Sequence, residues 1–103
     1  MNPAKVDRSR LRKLTDLPNI GAACAKDLEG IGIHRPEALR GRSPYQLYDT
    51  LCETTGVRHD PCMLDTFISV VRFMDGETPR PWWAYTEERK KTLRENTKKS
   101  KYA

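Results

Sequence analysis

Apolar residues recur along this chain at intervals of three and four, and no segment alternates apolar with polar residues at strand length. The pattern predicts helices and no sheet. The most regular stretch, Leu64, Phe67, Ile68, Val71 and Met74, predicts a helix from Pro61 to about Met74 at the centre of the core, with Asp60 as its cap. A second helix opens at "SPYQ", with Ser43 as N-cap, Pro44 in the first helical position and Gln46 set for a capping box. It runs to about Thr55 with Leu47, Tyr48 and Leu51 inward, and Gly56 stops it. Between these features and the N-terminal region, Pro36 opens a single helical turn that ends at Gly41. Beyond the loop "DGETPRP", the stretch "WWAYTEERKKTLREN" resumes as a last helix capped by Thr86, with Glu87 and Glu88 in its first turn.

Leu11, Leu14 and Leu17 are spaced by three on an Arg- and Lys-rich segment, which predicts a short amphipathic helix ending near Asp16. Pro18 cannot continue it, having no amide hydrogen and a ring that clashes with the preceding turn. The chain restarts at Gly21, with Ala22, Ala25 and Leu28 on one side, and Gly32 followed by Ile33 closes this helix as a glycine cap with its hydrophobic contact. Two helices joined by "LPNIG" make a helical hairpin at about residues 8–33. A glycine at a helix start leaves amides unpaired and admits another chain to the backbone; with the helix dipole, those amides form an anion site that a phosphate fits. Asn19 tolerates positive φ and so suits a tight turn, and Pro18 and Ile20 can pin that turn to the core.

The spacing of Leu14, Leu17, Ile20, Gly21, Ala25, Leu28, Gly32 and Ile33 resembles the helix-hairpin-helix motif, with Asn19 where the motif has its first glycine. That resemblance implies sequence-independent contact with the DNA backbone through the amides of Gly21, Ala22 and Ala23, on a turn shaped by Asn19 and Ile20 and assisted by Lys26. Arg12 and Lys13 on the basic segment before the turn complete the candidate set. Over roughly residues 10–92, "LPNIG", "RPEALRGRSPYQLYDTLCETTGVRHDPCMLD" and "RPWWAYTEERK" together are similar to the small bacterial pathogenicity-locus family, which also carries a mitomycin-resistance label. The resemblance implies a compact helical bundle, SAM-domain-like or tandem helix-hairpin-helix-like, and supplies no biochemical activity.

Length and composition narrow this further. The 103 residues suit one domain, expected over 1–95, with a basic tail over 96–103 that holds too few apolar side chains to order itself. No stretch approaches a membrane span and the start is not a secretory signal, so a cytoplasmic location is expected, with Cys24, Cys52 and Cys62 as reduced thiols. The net charge of +5 sits at the ends: residues 1–16 carry +3, residues 82–103 carry +4, and residues 17–81 carry −2. Basic ends suit an anionic partner, or are simply solvated. Against a DNA grip, Asp27 and Glu29 follow Lys26 closely.

Other chemistry is thinner. Cys52, His59 and Cys62 lack the tight pairing and fourth ligand of a structural zinc site. A Cys62–His59 catalytic pair would lack an orienting third group, and P-loop, dinucleotide and zinc-protease motifs are absent. Neither a metal, a cofactor nor a catalytic residue is expected. "PRPWWAY" could stack bases as single-strand binders do, but the expectation here is a strap that ties a loop to the core and enlarges it. The resulting expectation is an all-α bundle of about five helices plus a C-terminal helical segment. Its expected function is non-enzymatic, low-specificity binding of double-stranded DNA; the alternative is a protein-interaction scaffold that presents the hairpin or the Trp82/Trp83 surface to a protein partner.

Overall fold

The computed structural model describes residue 9 and residues 11–97. Among these the chain forms four α-helices and no strand: α1 (Ala22–Gly30), α2 (Pro44–Thr55), α3 (Pro61–Met74) and α4 (Thr86–Thr97). Single 3-10 turns cover Leu14–Asp16, Pro36–Leu39 and Trp82–Tyr85. Residues 98–103, most of the expected basic tail, lie outside the described residues.

The helix boundaries follow local chemistry. Ser43 Oγ accepts the Gln46 amide at 3.3 Å and Pro44 occupies the first turn of α2, while Gly56 ends it in the left-handed region at φ 72°. Asp60 stands at the start of α3, but its side chain makes no capping hydrogen bond. At the end of α1 the Ile33 amide reaches the Leu28 carbonyl at 2.9 Å and the Gly32 amide reaches Glu29 at 3.1 Å. This paired closure requires a left-handed residue between them, which Gly32 supplies at φ 91°. Leu28 and Ile33 are both buried, so the closure carries its hydrophobic contact.

Where a helix was expected up to Asp16, the structure departs. Leu11–Lys13 are not helical and Leu14–Asp16 make one 3-10 turn; residues 1–8 and 10 lie outside the described residues. The cause is local. Asp16 turns back and accepts the amides of Arg12 and Lys13, each at 3.0 Å, bonds that compete with helical carbonyl acceptance. Those same bonds, with the nearby Lys13 and Arg12 charges behind them, hold the Asp16 carboxyl below its usual range.

The core forms around α3. Leu14, Leu17, Ile20, Leu28, Ile33, Leu39, Leu47 and Leu51 converge on its Phe67, Val70, Val71, Phe73 and Met74. Each fully buried side chain of this kind contributes about 1.5–3 kcal/mol. The other side of α3 is buried as well, because Tyr85 packs with Leu64 and Ile68 and Tyr45 and Tyr48 of α2 lie against them. Three polar residues are enclosed there and each finds partners. Asp65 accepts from Thr86 Oγ1 at 2.8 Å and from Arg89 Nε at 2.9 Å, so Thr86 ties α4 to α3 instead of only capping it. Thr66 and Ser69 return their hydroxyls to the carbonyls of Cys62 and Thr66. The expected enlargement of the core by the tryptophans is made by Tyr85, whose hydroxyl donates to Glu77 at 2.6 Å; burial and the Glu77 charge push that phenol upward.

Candidate nucleic-acid interface

Leu17 to Gly21 turn the chain into α1, and each position has a distinct physical role. Leu17, Pro18 and Ile20 are buried. Asn19 takes φ 66°, the only non-glycine residue with positive φ among those described. Its side chain points inward: Nδ2 donates to the Arg80 carbonyl at 2.8 Å and to Ser69 Oγ at 3.1 Å. The turn is therefore anchored to α3 and to the segment before Trp82. Of the six positions Asn19 to Cys24, Asn19, Ile20 and Cys24 have their side chains engaged with the fold, and what remains for a ligand at the other three is backbone.

Gly21, Ala22 and Ala23 are exposed. Gly21 stands at the cap position of α1 with φ −94° and ψ −176°, extended backbone that any residue adopts. A Cβ built there would meet nothing within 4 Å. Neither conformation nor packing inside the chain calls for glycine at this position. The amides after it receive no side-chain cap, the first turn of α1 carries no acid, and the first intrahelical bond is Ala25 to the Gly21 carbonyl at 3.0 Å. The amides of Ala22, Ala23 and Cys24 are thus the free donors of a nine-residue helix.

The basic residues of the candidate set are less concentrated. Lys26 is exposed one turn into α1, and Arg12 and Lys13 are exposed before the 3-10 turn, with their own amides given to Asp16. Arg12 lines a shallow concavity with Gly32, His34 and Arg35, which belongs to the carboxyl end of α1. Nine residues at about 1.5 Å rise separate that end from Gly21 by roughly 13 Å. The structure therefore brings Gly21, Ala22 and Ala23 together and sets Arg12 apart from them. What sequence pattern missed is the link from Asn19 to Arg80; an asparagine at a turn was visible, but its partner 61 residues away was not.

Cys24 and His59 have partners within the fold, and Cys62 is exposed. Cys24 Sγ lies 3.7 Å from Met63 Sδ, and burial, then Asp27 and Cys62, push its thiol upward. His59 turns its Nε2 to Thr55 Oγ1 at 2.9 Å, and its carbonyl accepts the Tyr48 hydroxyl. Among the described residues no three His, Cys, Asp or Glu side chains gather as metal ligands. No helix among them is long and apolar enough to cross a membrane.

Comparison with known proteins gives the chain a family. The profile of the family described as Cdd1, pathogenicity locus, matches residues 7–91. The chain is also similar to the mitomycin resistance protein McrB of Streptomyces lavendulae, with 46% identity over 80 residues, 78% of this chain and 76% of that protein. No solved structure matches it significantly. With its all-helical fold and a match over most of its length, the chain belongs to the pathogenicity-locus family.

Proposed function

We propose that this chain is a non-enzymatic, low-specificity DNA-binding module in which the turn at Leu17–Gly21 and the start of α1 act as the phosphate-contacting half of a helix-hairpin-helix. The amides at the start of α1 meet a backbone phosphate, Lys26 assists, and the basic ends of the chain add salt-sensitive attraction. One observation carries this reading. Gly21 is a glycine that neither its backbone angles nor its surroundings require, placed where a side chain would obstruct approach to three free amides. Asp27 and Glu29 oppose an anion, but they sit beyond the first turn, where the dipole and the free donors act. The reading places the chain in the cytoplasm, where its three thiols stay reduced.

A protein-interaction scaffold is the second reading. Val57 and Leu93, both large apolar residues left exposed, line one groove together with Cys52 and Gly56. The measurement that separates the two is anisotropy of a short labelled duplex titrated with the wild type and with Gly21→Glu, over a range of salt. DNA binding through the amides requires affinity that falls with salt at a slope of about −2 to −4, as for two to four phosphates. It also requires a loss of roughly tenfold or more in the variant, whose carboxylate covers the donors. Equal affinities in the two proteins would leave only the basic ends as the duplex contact, and a wild type that binds no duplex would leave the scaffold reading.

A further inference from the structure

We infer that the Arg80–Trp83 segment is a base-stacking platform for single-stranded or locally unpaired DNA. The inference rests on the chain being a DNA binder, but not on Gly21 being the contact. Trp82 and Trp83 meet edge to face, with ring centroids 5.5 Å apart and an interplanar angle of 86°. Trp82 is half-buried while Trp83 is 63% exposed. A single exposed apolar residue is unremarkable in itself. This one is held in place: its ring rests on Trp82, its chain is stiffened by Pro79 and Pro81, and Tyr85 is anchored two residues on by burial and by Glu77. A ring already fixed loses little freedom when a base stacks on it.

The charge on the same segment selects the partner. Arg80 is 57% exposed, and its contact with Glu77 is long at 3.8 Å. Glu77 is shared with Arg72 and with the Tyr85 hydroxyl, and Glu88 is paired with Arg72, so the acids nearest the platform are already engaged. Glu87 is the exposed acid of the next turn, and the exposed Lys90 and Lys91 follow it. An exposed indole three residues along the chain from a loosely held guanidinium suits a base together with its phosphate, the pairing that single-strand binders use. A fully paired duplex hides its base faces in the stack and offers the ring nothing.

The Asn19 bond to the Arg80 carbonyl links this segment to the turn before α1. That bond and the few residues on either side of it keep Gly21 and Trp83 within about 30 Å of each other. That span falls in the range of sites of about 4–16 nucleotides covered by small single-strand binders. A strand whose phosphate lies at α1 could thus place a base on Trp83.

Anisotropy titrations with a labelled oligothymidylate and a blunt duplex, using the full chain, Trp83→Ala, Trp83→Phe and Gly21→Glu, test the platform. Thermal melts confirm that each variant folds. Trp83→Ala is expected to weaken oligothymidylate binding by roughly tenfold or more while duplex affinity stays within about twofold, and Trp83→Phe to recover most of the loss. Equal losses on both DNAs, no loss on either, or failure of phenylalanine to recover binding would overturn the platform. If Gly21→Glu binds duplex normally while Trp83→Ala still loses the single strand selectively, the hairpin contact fails and the platform stands. A wild-type chain that binds neither DNA overturns both.

Discussion

The amino ends of α1 and α2 begin with the same deficit and resolve it in opposite ways. Each helix starts with amides that no intrahelical carbonyl can reach. At α2, Ser43 Oγ takes the Gln46 amide and Pro44 removes one donor altogether. At α1, Gly21 brings no side chain, the first turn holds no acid, and Ala22 and Ala23 are exposed. Nothing in the backbone forbids a serine at Gly21, because its angles are ordinary and the space is open. The start of α2 is completed within the chain, whereas that of α1 is left open although completion was sterically free. An incompletely satisfied helix start that the fold does not impose is a better pointer to a ligand than a glycine held by its own φ.

The comparison can be broken at three places. The largest effect on stability is expected from Asn19→Ala, which removes two side-chain hydrogen bonds and puts alanine, less tolerant of the left-handed region than asparagine, at φ 66°. A loss of about 2–3 kcal/mol follows from about 1 kcal/mol for each. Asn19→Gly, which keeps the angle and loses only the bonds, should cost roughly 1 kcal/mol less in denaturant melts. Equal stabilities for the wild type and the alanine variant would mean that the turn is not what holds the open end in place.

Ser43→Ala comes next, with an expected loss of about 1 kcal/mol from removal of the cap. Its DNA affinity should not change, since Ser43 has no part in the proposed contact. A drop in affinity matching that of Gly21→Glu would erase the distinction between the two helix starts. The smallest change is Gly21→Ser, expected to raise stability by a few tenths of a kcal/mol as its hydroxyl caps α1, while weakening DNA binding. A destabilisation near 1 kcal/mol in the same melt would show that the fold needs glycine there, and the case for a ligand would lose its footing.

Much of the fold was legible because the signals are local. Pro44 and Pro61 preset the first turns of α2 and α3, Gly32 and Gly56 end α1 and α2, and the expected limits of α3 agree with the observed ones. The segment before the turn was misread because Leu11, Leu14 and Leu17 recur strictly by three. That interval is the period of a 3-10 helix as much as one half of the alternating three and four of an α-helix. Asp16, by binding the Arg12 and Lys13 amides, tipped the segment to the shorter form. For the candidate site, Gly21 and its neighbours could be picked out from the pattern, but the inward turn of Asn19 could not.

The sequence by itself determined where α2 and α3 start and stop, the apolar stripe that makes α3 the centre, and the position of an uncapped glycine at α1. Those features depend on backbone angles and on neighbours within one or two turns. Only the tertiary structure decided that the polar side of α3 is buried too. There Asp65, with a side chain 1% exposed, is met by Arg89 at 14%, and Asn19 joins Ser69 and Arg80. Such pairings join residues 24 to 61 positions apart. No local period encodes which distant carbonyl or guanidinium will arrive, because a buried polar group is satisfied by whatever the packing brings to it.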